Sequence, residues 1–173
     1  MKLSLNIKII LIAVIPLILS IMISMVISVT SMISQGDARV EKYRQDLLDD
    51  VKANLKSVTE VAISVVKQQY EISSDDASKA VALKLVKYMS YDEKGYFVIQ
   101  SDKGYMLGHR FAPQLEGKDI NALKDPNGVE ITVEILDIIK KKGKGFLPYS
   151  WPKPGFEEPQ PKTSYVEGFK PWG

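Results

Sequence analysis

The chain has no cysteine and a single histidine among its 173 residues. Without thiols, a disulfide framework, a cysteine nucleophile and a cysteine-ligated metal site are excluded. One histidine excludes a multi-histidine metal centre and leaves little for a nucleophile–base–acid triad. No glycine-rich phosphate-binding motif occurs. Carboxylate pairs stand at Asp49-Asp50, Asp75-Asp76 and Glu157-Glu158. Each falls on a predicted exposed helix face, cap or loop, so no catalytic set, metal or cofactor is expected. The chain reads as a non-enzyme.

An excess of either charge is also lacking where it would matter. The formal balance is +2, and Lys2 and Lys8 are the only charged residues before Asp37. Beyond them 21 basic and 21 acidic residues cancel. Such a balance gives no electrostatic footprint for a nucleic acid. The dense basic run Lys140–Lys142 sits at the predicted end of a helix, where cations suit the helix dipole.

Charge is missing altogether from Ile9 to Ile33, a 25-residue stretch dominated by Ile, Leu, Val and Met. About 20 such residues cross a bilayer as a helix, and a proline such as Pro16 is tolerated there. Residues 9–33 are therefore a predicted transmembrane helix. Residues 1–8, with their two lysines, are its cytoplasmic end by the positive-inside rule. The rest then lies periplasmic or extracellular on a bacterial cell membrane. A cleaved signal peptide fits less well, because the run is long and no small-residue cleavage site follows. Ser20, Ser24, Ser28 and Ser31 form one polar stripe, suited to a partner helix or to chance scatter on a lipid-facing one.

Glycine and proline are absent from Asp37 to Tyr70. Val40, Tyr43, Leu47, Val51, Leu55, Val58, Ala62 and Val65 recur at helical spacing. This predicts a long helix over 37–70. Its near-heptad stripe can face its own domain or, towards the membrane, a second copy in a homodimer. Ser73-Ser74-Asp75-Asp76 predicts the start of a second helix over 73–90, with serine capping. Gly95–Gln100 and Tyr105–His109 flank a turn at Asp102-Lys103-Gly104 and predict a hairpin. A helix over 129–142 and strands over 146–151 and 163–169 follow. Between those strands four prolines in Pro152–Pro161 predict a loop without a ladder. The fold class is α+β with antiparallel strands, residues 95–173 forming the sheet region.

Aromatic residues are the most informative side chains. Tyr149, Trp151, Tyr165, Phe169 and Trp172 crowd the last 25 residues around Lys162, while Tyr96, Phe97 and Tyr105 lie on the first hairpin. Aromatic walls with cationic and hydroxyl tips suit a small organic anion. A lysine ~4 Å from a carboxylate gains about 4 kcal/mol at an effective dielectric near 20, before desolvation. The same residues would serve equally as plain core, with Lys162 reaching solvent.

Several short motifs stand in a telling order. They are Gly95-Tyr96-Phe97-Val98-Ile99, Met106-Leu107-Gly108-His109, Leu115-Glu116-Gly117-Lys118-Asp119 and Lys124-Asp125-Pro126-Asn127-Gly128. Gly143-Lys144-Gly145-Phe146, Tyr149–Gly155, Pro161–Val166 and Pro171-Trp172-Gly173 follow. The series resembles the single Cache domain family, the extracytoplasmic sensor of bacterial methyl-accepting chemotaxis proteins and sensor kinases.

The resemblance implies a PAS-like fold over residues 34–173: a long helix against a five- to six-stranded antiparallel sheet. It implies a pocket for a short carboxylate on the sheet face opposite that helix. Tyr96, His109, Tyr149, Trp151, Lys162 and Tyr165 would line or gate it. Lys162 would meet the carboxylate, Tyr149 and Tyr165 would donate hydroxyls, and Trp151 would form a wall. His109 is commonly followed by proline in the family; here Arg110 follows, a rival cation. The pattern also continues past Pro-Trp-Gly with a last strand, a second span and a cytoplasmic region. The resemblance thus implies a truncated chain whose last strand is missing. The expected function is ligand sensing for a chemoreceptor. The alternatives are a sensor for a histidine kinase or cyclic-nucleotide enzyme, and a membrane-anchored coiled-coil interaction protein without a small ligand.

Overall fold

The computed structural model describes residues 5–153 and 155–173. Lys2, at the expected cytoplasmic end, and Pro154, in the expected proline loop, lie outside the described residues. The chain divides into two units, residues 1–50 and 51–173.

Helix α1 (Leu5–Ile72) makes up all of the described first unit, and its part from Val51 onward belongs to the second. The helices expected over 9–33 and 37–70 are therefore one. Gly36 does not interrupt it: a single glycine costs only about 1 kcal/mol. Pro16 is likewise carried inside the helix. Hydroxyls along it return to its own backbone: Ser20 Oγ donates to Leu17 O at 2.8 Å, and Thr30 Oγ1 lies 3.0 Å from both Val26 O and Ile27 O. Every side chain described between Leu5 and Asp50 is exposed, including the continuous Ile/Leu/Val/Met surface. A surface of that kind calls for lipid or another helix.

In the second unit the α1 stripe turns inward. Leu55, Val58 and Val65 are half-buried and Ala62 is buried. Helix α2 (Asp76–Tyr88) is shorter than the expected 73–90. Its cap is Asp75 rather than a serine: the carboxylate accepts the Ser78 N–H at 2.8 Å. Ser73 Oγ instead accepts the Asp75 N–H at 3.3 Å.

The first expected hairpin splits in two. Strand β1 (Ser90–Tyr91) pairs with β2 (Gly95–Tyr96), and β3 (Val98–Gln100) pairs with β4 (Met106–His109). The tight Asp92–Lys94 turn, with Asp92 at φ +49°, closes the unforeseen ladder. Phe97 separates β2 from β3. Helix α3 (Ile131–Lys142) ends at Gly143, whose φ of +76° lets its N–H reach Ile139 O at 2.9 Å. Strands β5 (Lys144–Pro152) and β6 (Pro159–Glu167) make a nine-residue antiparallel hairpin. Among the described residues the six strands form three separate pairs rather than one sheet of five or six.

The hairpin overturns the expectation that prolines 152–161 forbid a ladder, since Pro152 pairs with Pro159 and Ser150 with Pro161. The register explains it. Antiparallel pairs alternate between those that exchange hydrogen bonds and those that do not. The Ser150 N–H points away from β6, donating to Asp125, so Ser150–Pro161 is a non-bonded pair. Pro148–Thr163 and Pro152–Pro159 share that parity. No proline here removes a ladder bond.

Alternation also gives the hairpin two faces. Gly145, Leu147, Tyr149 and Trp151 share one with Gln160, Lys162, Ser164 and Val166. Helix α3 packs on this face through glycine: a Cβ on Gly145 would lie 2.8 Å from Ile138, and one on Gly168 2.6 Å from Ile139. The other face carries Lys144, Phe146, Tyr165 and Glu167. It meets α1, where Lys144 Nζ lies 3.4 Å from Glu60 Oε1. The closing Pro171-Trp172-Gly173 is pinned to the helices. Trp172 Nε1 donates to Ser74 O at 3.1 Å, and Lys79 Nζ donates to Trp172 O at 2.6 Å.

Candidate ligand-binding site

A cavity of about 410 Å³ opens inside the second unit. Its walls include the consecutive runs 96–102 and 164–170. Side chains alone would present only every second residue, so the cavity stands between the β3 and β6 ladders. Ala62, Ile63 and Val66 of α1 also reach it. The void thus extends further towards the long helix than the resemblance implies, although the polar cluster lies on the α3 face.

Lys162 is the centre of that cluster. Its Nζ donates to the Tyr96 hydroxyl at 2.8 Å and lies 4.3 Å from the Tyr96 ring centroid. The Tyr149 ring centroid is 5.9 Å away. No carboxylate among the described residues forms an ion pair with it. Burial, helped by the positive charge of Lys153, lowers the lysine from 10.5 to about 8. It remains mostly protonated at neutral pH, a half-buried cation without a counterion.

Tyr96 is buried on β2 between the rings of His109 (5.2 Å) and Phe111 (5.0 Å). Burial pushes its phenol up to about 12, so it stays neutral. Because its oxygen accepts from Lys162, its own hydrogen is free for another acceptor.

His109 is buried at the end of β4. Its Nδ1 accepts the N–H groups of Phe111 (3.2 Å) and Ala112 (3.0 Å). That assigns the hydrogen of the neutral ring to Nε2. Burial and the nearby Lys162 charge lower its pKa. The His109 backbone N–H donates to Glu116 Oε1 at 3.0 Å, and Lys87 Nζ lies 2.7 Å from the same carboxylate oxygen. Glu116 thereby links the His109 backbone to Lys87 of α2.

The Tyr149 hydroxyl pairs with Ser164 Oγ at 3.0 Å. Burial raises its pKa, against the Ser164 hydrogen bond. Trp151 emerges two residues on, from the same face, and lines the cavity. Five expected residues are thus gathered: Tyr96, His109, Tyr149, Trp151 and Lys162. Tyr165 is not. It touches the cavity, but its ring sits on the α1 face, 4.8 Å from Phe146. The sequence already held that signal, since Tyr165 and Lys162 differ by an odd number. Arg110 is also outside: it is exposed, 5.6 Å from the Phe111 ring, and lines no part of the cavity. Sequence reasoning missed Ser164, which lines the cavity, and Phe111, which lies outside it and packs on the Tyr96 ring. Ser164 was recoverable from strand alternation; nothing local marked Phe111.

The outcome is a set of hydrogen-bond donors and one uncompensated cation in apolar and aromatic walls. Chemically it suits an acceptor-bearing organic anion. Among the described residues no cluster could hold a metal ion.

Such a site on such a fold defines a domain with an internal pocket, and comparison gives its family. The chain belongs to the Cache domain family: the family designated dCache_2 matches residues 20–173. Among solved structures it is similar to a Cache chemosensory domain described for carboxylic acid recognition. That likeness has 35% identity and a TM-score of 0.70, covering 75% of this chain and 91% of that one. A methyl-accepting chemotaxis protein from Vibrio parahaemolyticus gives 33% identity and the same TM-score of 0.70, with coverages of 76% and 88%. Among curated proteins it is similar to the methyl-accepting chemotaxis protein McpP of Pseudomonas putida, 30% identical over 86% of this chain. It is also similar to the sensor histidine kinase MctS of Rhizobium johnstonii, 26% identical over 95% of this chain. The chain spans only 28% and 36% of those two relatives.

Proposed function

We propose that this chain is the extracytoplasmic sensing region of a membrane signal transducer of the chemoreceptor kind, and that it binds a short carboxylate. The observation that carries the reading is Lys162. A half-buried ammonium 2.8 Å from a free-hydrogen tyrosine hydroxyl, with no carboxylate partner among the described residues, calls for an anion. A carboxylate would accept from both groups while its hydrocarbon part meets Trp151 and Tyr149. The described relative that recognises carboxylic acids supports the ligand class.

Residues 9–33 would anchor the chain in a bacterial cell membrane with residues 1–8 in the cytoplasm. Residues 34–173 would face the periplasm or exterior. The apolar, exposed N-terminal part of α1 supports this arrangement. The α1 stripe at Val40, Tyr43, Leu47 and Val51 remains exposed and offers a parallel homodimer contact. Output through a histidine kinase is a second reading, favoured by the similarity to MctS.

Calorimetry on the whole chain in detergent, titrated with acetate, propionate, pyruvate and butyrate, tests the ligand class. At least one acid should bind, and Lys162→Ala should abolish that binding while leaving a cooperative melt. A folded chain that takes up none of the four sinks the carboxylate reading.

A further inference from the structure

The Lys124-Asp125-Pro126-Asn127-Gly128 motif has no part in the site so far. Asp125 is only 5% exposed, lines no part of the cavity and forms no ion pair among the described residues. Its Oδ1 accepts the N–H groups of Asn127 and Val129, each at 2.8 Å. Those two bonds are local and amount to an Asx turn. Its Oδ2 does something else. It accepts the Ser150 N–H at 2.9 Å, crossing 25 positions of sequence to reach strand β5. Asn127 Nδ2 strengthens the junction, 3.4 Å from Asp125 Oδ2 and 3.1 Å from Ser150 Oγ.

The point of attachment is selective. On the outward edge of β5 from 148 to 152, Pro148 and Pro152 have no N–H. Ser150 offers the one donor there, and Asp125 takes it. Ser150 also lies between Tyr149 and Trp151, both of which emerge on the pocket face. A slide or tilt of the strand at Ser150 therefore moves both aromatic walls together. Desolvation pushes the Asp125 carboxyl up, but the N–H donors of Val129, Ser150 and Asn127 outweigh it and hold it below its usual value. The tie is thus ionised and strong at neutral pH.

We propose that Asp125 is a positioning residue for the ligand site, tying the 124–128 loop to β5 at Ser150 and so setting where Tyr149 and Trp151 stand opposite Lys162. The inference rests on the carboxylate reading above. It predicts a specific division of labour. Lys162 and Tyr96 hold the carboxylate head, whereas the placement of β5 governs the fit of the hydrocarbon tail.

The test uses the whole chain in detergent with Trp172→Phe, which leaves Trp151 as the sole tryptophan of the original two. Asp125→Asn replaces an acceptor with a donor. Ser150→Pro deletes the N–H itself, at a register where prolines already stand, and carries the test if Asp125→Asn fails to fold. Ser150→Ala keeps the N–H and serves as control. Both disruptive variants should shift Trp151 emission. Loss of a charge-assisted bond should weaken butyrate about tenfold, and acetate by less than about threefold. Ser150→Ala should resemble the parent. Unchanged emission with unchanged butyrate affinity overturns the proposal, as does an equal loss for both acids, which would mean general loosening. If the parent binds neither acid, the carboxylate reading falls. Trp151 emission then decides the tie alone, a shift upholding it and no shift overturning it.

Discussion

At Lys162, stability and binding pull in opposite directions. The folded state lowers its pKa from 10.5 to about 8, corresponding to roughly 3 kcal/mol of destabilisation at pH 7. The unfolded chain holds the proton up to 10.5, so unliganded stability should rise between pH 8 and 10.5 and be flat just below that window. Lys162→Met should therefore stabilise the empty protein by about 1–2 kcal/mol in urea melts, allowing for the lost bond to Tyr96. A destabilised Lys162→Met would show that the cation is already compensated. Ligand affinity should follow the protonated lysine. It should be level from pH 6 to 7.5, then fall about tenfold per pH unit well above 8. Calorimetry across that range checks this, and an affinity that rises above pH 8 would remove Lys162 from the site. Burial, with the nearby Lys162 charge, lowers the His109 pKa and so favours its neutral form.

Among the elements, the β5–β6 hairpin gives the sharpest mutational contrast. Thr163 sits in a non-bonded pair with Pro148, whereas Val166 sits in the bonded series with Gly145. Thr163→Pro should cost less than about 1 kcal/mol, and Val166→Pro about 3 kcal/mol or more. Thermal melts of the two variants measure the difference, and equal losses would mean the bonding parity is wrong. The hairpin also shows what was legible beforehand. Strand-forming residues marked Phe146–Trp151 and Thr163–Phe169, but proline content hid the pairing beyond them. Only register decides whether a proline costs a hydrogen bond, and register is a relation between strands. The β1–β2 ladder was hidden for a different reason: two-residue strands carry no periodicity. Helix 131–142, by contrast, lay within two residues of its expected start, because apolar spacing and Gly143 are local signals. At the site, strand parity could have separated Tyr165 from Lys162, while the Glu116 contacts and the Asp125 bond to Ser150 depend on tertiary folding and left no local trace.

At the scale of the whole molecule, the exposed α1 stripe bears on assembly. Tyr43 is 67% and Leu47 48% exposed. The chain has no cysteine, so an introduced thiol reports without background. In membranes or detergent, Leu47→Cys should form a disulfide-linked dimer on mild oxidation, and Gln45→Cys, on the opposite side of the helix, several-fold less. Equal cross-linking at both positions would remove the stripe as a dimer contact. The two faces of the β5–β6 hairpin have a last consequence, for descent rather than for binding. A single inserted or deleted residue within 144–152 or 159–167 would exchange the faces beyond it. Such a change would turn Lys162 towards α1 and Tyr165 towards the α3 face. Descendants of this sequence are therefore bound to keep the count of residues in both arms of the hairpin.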